Sequence, residues 1–340
     1  MFKRPRLSAQ SFPVNAGIAG FLLFYAASCS GPQEPAEQGG PAPQGQEEDV
    51  VSADPLPANM LPAVWSTRQL DSPVASIGIA GGAGSTFAVA YEGGGVQIFD
   101  FDGERITEVS DDAAKALAEG RYAMLSGTPV TLFPGLDASG SLKVWIYGGG
   151  VAEAIGYDLQ GDQAGPAAGL CAGPPLDSEA DLHRLAYWTE ADPSTLYSGV
   201  VRQSGGELVF ITEEEEDLGE PITACVISGD EAIAFNGPVD AAASLRRIGR
   251  ETLILSEGDG RLSLQLGDNE PARYDIRKGI TVEVPQTFST LAATGDARGG
   301  GYPGGVIIVG GTIRGDDHRV VMIDPSRVTM TPIEVPSATE

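Results

Sequence analysis

The sequence predicts an all-β fold, a single β-propeller, and two observations carry that prediction. Apolar runs rich in β-branched and aromatic residues are separated by glycine turns, in a unit that recurs along most of the chain. The copies stand roughly fifty residues apart, and each is a small sheet that cannot bury both faces alone, which is the pattern of radial stacking. The spacing is irregular, so a β-sandwich is the alternative.

The first unit pairs Phe87 to Tyr91 with Val96 to Phe101 across Gly93, Gly94 and Gly95, and Asp102-Gly103 turns into a third strand. Leu142 to Leu159 repeats the order and ends in an aromatic-acid pair, Tyr157-Asp158. Leu196 to Thr212 turns at Ser204-Gly205-Gly206, Leu253 to Leu266 at Gly258-Asp259-Gly260, and Val306 to Asp324 around Gly315-Asp316. One helix is suggested, Asp111 to Gly120, with Asp111 or Asp112 as its cap and Gly120 as its stop. Glu220-Pro221 and Gly237-Pro238 read as connections between blades. An open ring would leave a bare strand edge, so Leu61 to Leu70 is expected to lend the strand that closes it.

Residues 1–28 read as an export signal. Lys3, Arg4 and Arg6 precede an apolar core, Ala16 to Ala27, too short to span a bilayer comfortably. The core ends in Ala26-Ala27-Ser28-Cys29, which resembles the lipobox of bacterial lipoproteins with Ala26 where leucine is usual. That resemblance implies a signal peptide cut before Cys29, acylation of Cys29 and a stable membrane anchor. An ordinary signal peptide cut nearby is the alternative. Residues 29–60, dominated by proline, glycine, glutamine and glutamate, read as a disordered tether. Ser30 after the cysteine is compatible with passage to an outer membrane, so the expected location is the cell envelope, at the outer membrane or on the periplasmic side. The propeller then occupies residues 61–336.

A formal net charge of −26 excludes most nucleic-acid partners, because phosphate backbones would be repelled and no stripe of Lys or Arg offsets it. The densest acidic run, Glu213 to Asp217, reads as a solvated turn rather than a metal site, since calcium favours spaced carboxylates with carbonyls between them. With Cys29 acylated, Cys171 and Cys225 remain; two buried thiols in neighbouring strands are expected, with a disulfide as the alternative. His183 and His318 are the only histidines and read as surface or capping residues, leaving no histidine-rich zinc centre and no assigned catalytic group.

Several stretches, in order, resemble the β-propeller phytases, calcium-dependent phosphatases with six blades. Leu70-Asp71-Ser72-Pro73-Val74 stands where that family has Asp-Asp-Pro-Ala, and Gly94-Gly95-Val96-Gln97-Ile98-Phe99-Asp100-Phe101-Asp102-Gly103 is similar to its Gly-Gly-Leu-x-Val-Tyr-Asp-Leu-x-Gly. Gly169-Leu170-Cys171, Ala224-Cys225-Val226 and Tyr302 to Val309 resemble its Gly-Leu-Cys, Gly-Cys-Val and Phe-Pro-x-Gly-Leu-Phe-Val. The resemblance implies six blades, hydrolysis of phytate or another phosphomonoester, calcium as cofactor, Asp71 as a calcium ligand and Arg121 as a phosphate contact. Departures fall where the chemistry belongs. Ala123-Met124-Leu125-Ser126 replaces the family's Asn-Asn-Val-Asp, Glu92 or Gly93 stands for a basic residue, and Gly310-Gly311-Thr312 lacks an acid. Two readings follow: a phytase-like hydrolase, or a non-catalytic propeller that binds a protein or glycan at the cell envelope. In the second reading Asp71 merely ends a strand and Arg121 is a solvated side chain.

Overall fold

Six blades stand around a common axis, each entered through a strand of small residues. In this computed structural model the described residues are 59–81, 86–176, 181–247, 250–267, 269–288, 290–295, 302 and 304–328. Strand β1 (Met60–Ser66) opens them. Blade 1 holds β2 (Val74–Gly81), β3 (Thr86–Tyr91) and β4 (Val96–Asp100). Blade 2 holds β5 (Ala114–Leu117), β6 (Gly120–Leu125), β7 (Thr128–Asp137), β8 (Leu142–Gly148) and β9 (Ile155–Asp158). Blade 3 takes the short β10 (Gln160–Gly161) with β11 (Ala167–Pro175), β12 (Asp181–Thr189), β13 (Thr195–Ser204) and β14 (Glu207–Asp217). Blade 4 is a hairpin, β15 (Ala224–Ser228) and β16 (Glu231–Phe235). Blade 5 runs β17 (Ala241–Arg247), β18 (Arg250–Ser256), β19 (Arg261–Leu266) and β20 (Ala272–Arg277). Blade 6 runs β21 (Thr290–Thr294), β22 (Val306–Thr312) and β23 (His318–Ile323).

The inner strands β2, β5, β11, β15, β17 and β21 touch one another in that order, and β21 returns to β2. The ring is therefore closed and six-membered: a β-propeller, not a sandwich. Closure is by β1, which pairs antiparallel with β23 (Ala63 opposite Ile323, Ser66 opposite Val321) and parallel with β20 (Leu61 opposite Ile276). The chain's first described strand thus completes its last blade, as expected for Leu61 to Leu70. Glu220-Pro221 and Gly237-Pro238 lie between blades, as read.

The five glycine-punctuated units become hairpins within their blades. In the first turn Gly94 and Gly95 take φ of 93° and 85°, and a Cβ on Gly95 would stand 2.5 Å from the Ser110 carbonyl oxygen. Only glycine satisfies both demands. The third strand expected after Gly103 shrinks to a single bridge, Arg105 to Phe99.

Three local expectations are corrected. Asp111 to Gly120 is not a helix: Ala114–Leu117 is the inner strand of blade 2, with Ala116 opposite Leu136 and Leu117 opposite Gly135. Alanine's helical preference is a weak bias, overridden where pairing with β7 and closeness to the axis call for small side chains. Glu213 to Asp217 is exposed, as read, but it is strand rather than turn, the end of β14 paired with β13. Cys171 and Cys225 do sit in neighbouring strands, yet they form a disulfide across β11 and β15, with Cα atoms 5.6 Å apart. The tapering ring brings the two inner strands within bridging distance.

Apolar cores lie between the blades. Phe87, Phe99, Ile308 and Met322 pack blade 1 on blade 6, while Phe133 and Trp145 pack blade 2 on blade 1. Leu245 and Ile254 meet Ile307 and Val309 between blades 5 and 6. Among the described residues no such cluster spans blades 4 and 5. That seam is polar: the Ser228 and Ser244 hydroxyls both donate to the Glu251 carboxylate, and Arg246 donates to the Ile227 carbonyl.

Candidate functional site

The axis carries a channel pinched at its waist. One residue from each inner strand forms the pinch: Ile77, Leu117, Leu170, Cys225, Ala242 and Leu291. On the side where the inner strands begin, the entry face, the cavity is about 230 Å³ and reaches Ser76, Thr223, Asp240 and Thr290. On the side where they finish, the exit face, it is about 80 Å³ and reaches Glu119 and Ser244. The apolar waist separates the two.

Arg246 spans the exit face, paired with Glu119 of blade 2 and facing Glu251 at 3.8 Å. Arg121, on β6, lies like Arg246 close enough to His183 to act on it electrostatically. Its Nη1 donates to the Leu182 and Leu176 carbonyls, tying blade 2 to blade 3. His183 lies underneath, and here the sequence reading is corrected: it is buried in β12 at 1 % exposure. Its Nδ1 is 3.3 Å from the Arg184 carbonyl, while Nε2 has no hydrogen-bond partner among the described residues. Both faces of β12 are covered, so this side chain is buried along with the neighbouring Leu182, a burial that the polar neighbour Arg184 does not reveal.

Burial, helped by the positive charges of Arg121 and Arg246, pushes the His183 imidazole down to about 4. The folded protein therefore keeps it neutral while the unfolded chain takes up a proton near pH 6.5. Stability is complete above that value and falls as pH drops toward about 4, by on the order of 1 kcal/mol per pH unit. Urea unfolding across this window should show the loss in the parent chain and a flatter profile in His183→Gln. Parallel profiles would remove the assignment.

Asp71 stands at the opposite end of the molecule, ahead of β2 at the entry face, and pairs with Arg105 at 3.1 Å. Arg121 pairs with Gly81 at the far end of that strand. Eight residues of strand put about 25 Å between the two ends, so the structure does not bring Asp71 and Arg121 together. As for calcium, several converging oxygen ligands are required, and among the described residues no group of three or more His, Cys, Asp or Glu side chains has metal-holding geometry. The described ion-pair partner of Asp71 is the Arg105 guanidinium, a cation and not a further oxygen ligand. Cys29 lies outside the described residues.

A roomier site opens on the rim between blades 2 and 3, with a volume of about 450 Å³. Its floor is apolar, from Leu125, Val130, Ile146 and Leu208. Tyr157 rises from β9 with 48 % of its surface exposed, next to Asp158 and Gln160. Gln203 reaches over from blade 3, its Nε2 3.3 Å from the Ser126 hydroxyl of blade 2. Asp158 is ion-paired with Lys143 at 3.2 Å through one carboxylate oxygen. An exposed ring beside a carboxylate and two amides, above a greasy floor, can stack on the C–H face of a polar ligand and bond its hydroxyls.

No protein-family model and no curated protein matches the chain. Among solved structures it is similar to the six-bladed propeller lectin of Aleuria aurantia, with 12% identity and a TM-score of 0.48, covering 79% of this chain and 99% of that one. It is also similar to AofleA of Arthrobotrys oligospora, with 9% identity and a TM-score of 0.46 over 74% of this chain and 82% of that one. A third likeness is BBS1N, solved in complex with ARL6DN, with 12% identity and a TM-score of 0.39 over 70% and 74% of the two chains. Six blades and closure by β1 rest on this chain's own strand pairing.

Sequence reading passed over the rim site, although one signal was present. Tyr157-Asp158 closes its unit as Phe99-Asp100 closes another, but Phe99 is 1 % exposed against 48 % for Tyr157. Position in the repeat is the same; the neighbour is not.

Proposed function

We propose that this chain is a non-catalytic ligand-binding propeller of the cell envelope, and that the cleft between blades 2 and 3 receives a neutral polyhydroxylated ligand such as a glycan. The observation that carries this reading is Tyr157, a large ring left exposed over an apolar floor and flanked by Asp158, Gln160 and Gln203. Sugars present C–H faces that stack on aromatic rings and hydroxyls that need both donors and acceptors, and the cleft supplies both. A net charge of −26 disfavours a polyanionic ligand such as phytate unless cations intervene. The Cys171–Cys225 disulfide suits an oxidising compartment, which supports export; anchorage through acylated Cys29 rests on the lipobox-like Ala26-Ala27-Ser28-Cys29.

Binding to an array of envelope-type glycans, followed by titration of the best one, tests the reading. Tyr157→Ala should weaken the interaction by about tenfold, since aromatic contacts contribute on the order of 1 kcal/mol beyond area burial, while the melting temperature stays put. Equal affinity in the variant would move the ligand elsewhere. The same preparation assayed for phosphate release from phytate, with calcium and with chelator, separates the two functions. Calcium-dependent release would restore the hydrolase reading.

A further inference from the structure

Among the described residues blade 4 stops at two strands where its neighbours in the ring have four or more. Residues 236–240 run from β16 directly to β17, so nothing described lies outside β16, and the blade's outer half is a notch between blades 3 and 5. The outward backbone groups of β16 have no ladder partner among the described residues. Its sequence, Glu231-Ala232-Ile233-Ala234-Phe235, is apolar after the first residue, regular in register and half-exposed. Edge strands are ordinarily blunted by lysine, proline, a bulge or a covering loop. Among the described residues β16 has none of these.

The notch has a charged wall. On blade 3 the register of β13 and β14 places Ile211, Glu214 and Glu216 opposite Val200, Ser198 and Leu196. Leu196 packs toward blade 4, so this row faces the notch. Glu213 is held by Arg184, which also holds Asp230, but Glu214 and Glu216 are exposed and have no cationic partner among the described residues. Part of the acidic run that looked like a solvated turn, Glu214 and Glu216, thus lies on the side of blade 3 that faces blade 4, whose outer strand β16 is unpaired on one edge among the described residues.

We infer that this notch docks an extended, lysine- or arginine-bearing strand of a partner protein. The strand adds to β16 by main-chain pairing, and its basic side chains reach Glu214 and Glu216. A second copy of this chain is a poor occupant, because it would bring the same carboxylates and a further net charge of −26 into the notch. The inference is independent of the glycan cleft, which lies on the other side of blade 3.

The test uses the full chain and a short peptide alternating lysine and valine. Titration should show saturable binding, and hydrogen exchange should slow at residues 232–235. Glu214→Lys with Glu216→Lys, both at exposed positions, should weaken the peptide about tenfold, since reversing two partly screened contacts is worth about 1.4 kcal/mol. The same peptide N-methylated at every residue should not bind, because it cannot pair with a strand edge. Undiminished binding of the methylated peptide, unchanged affinity in the double variant, or protection away from β16 would each overturn the proposal. So would a dimer of the chain alone that slows exchange at residues 232–235.

Discussion

Deleting Leu61 to Leu70 is expected to abolish cooperative melting. Leu61 and Leu70 are buried at 0 and 2 % exposure and Ala63 at 2 %. Burying each leucine is worth about 2–3 kcal/mol, and β1 adds ladders to both β23 and β20. The combined loss, about 5 kcal/mol or more, is comparable with the whole stability of an ordinary domain. Deletion would also bare the edge of β23, whose Val320 to Ile323 are fully buried, and a flat apolar edge recruits other chains. The expected record is a broad, early loss of β signal by circular dichroism, with aggregate at the void volume of a sizing column. A sharp transition at the parental temperature would mean that the ring does not depend on β1.

What the sequence reveals of this fold is a hairpin outside the inner strand in five of the six blades. Runs such as Val96 to Phe101 and Leu253 to Leu266 alternate or saturate with β-formers around turns that demand glycine, so local chemistry alone selects hairpins. The inner strands are harder to see. Ala114 to Leu117 and Ala241 to Ala243 are small because the strands converge on the axis, a constraint set by residues far away in sequence, and alanine in a short window looks helical. Blade 4 escaped for a related reason: Ala224 to Phe235 is one short hairpin whose two strands have only five residues each.

Site residues were less legible than strands. Asp71 and Arg121 were singled out by resemblance to a family motif, which says where a residue falls in a blade but not which partner it meets; one meets Arg105 and the other the carbonyls of Tyr122, Leu176 and Leu182. Tyr157 becomes a candidate only once the gap between blades 2 and 3 is known. The Glu213 to Asp217 run acquires meaning only beside a blade missing its outer strands. Each of these depends on the lateral packing of whole sheets, which no window of residues encodes.

Blade 4 is also where loss of a single bond should be felt most. On one side it meets blade 3 through Ile222, Ile227, Trp188 and the Cys171–Cys225 disulfide; on the other it meets blade 5 through the polar seam at Glu251. Its two strands have few ladder bonds of their own, so the disulfide is its firmest attachment to the ring. The bridge closes a loop of 54 residues, and constraining that loop in the unfolded chain is worth about 4 kcal/mol. Cys171→Ala with Cys225→Ala should therefore lower the melting temperature by roughly 10 °C for a domain of this size, and strong reductant should do the same to the parent chain. The distribution of the loss is the sharper test: hydrogen exchange should quicken in β15 and β16 well before β7 or β22. Uniform acceleration would assign the bond a purely global role, whereas early opening of blade 4 would make this hairpin the ring's first point of failure, its inner strand coming away along the polar side.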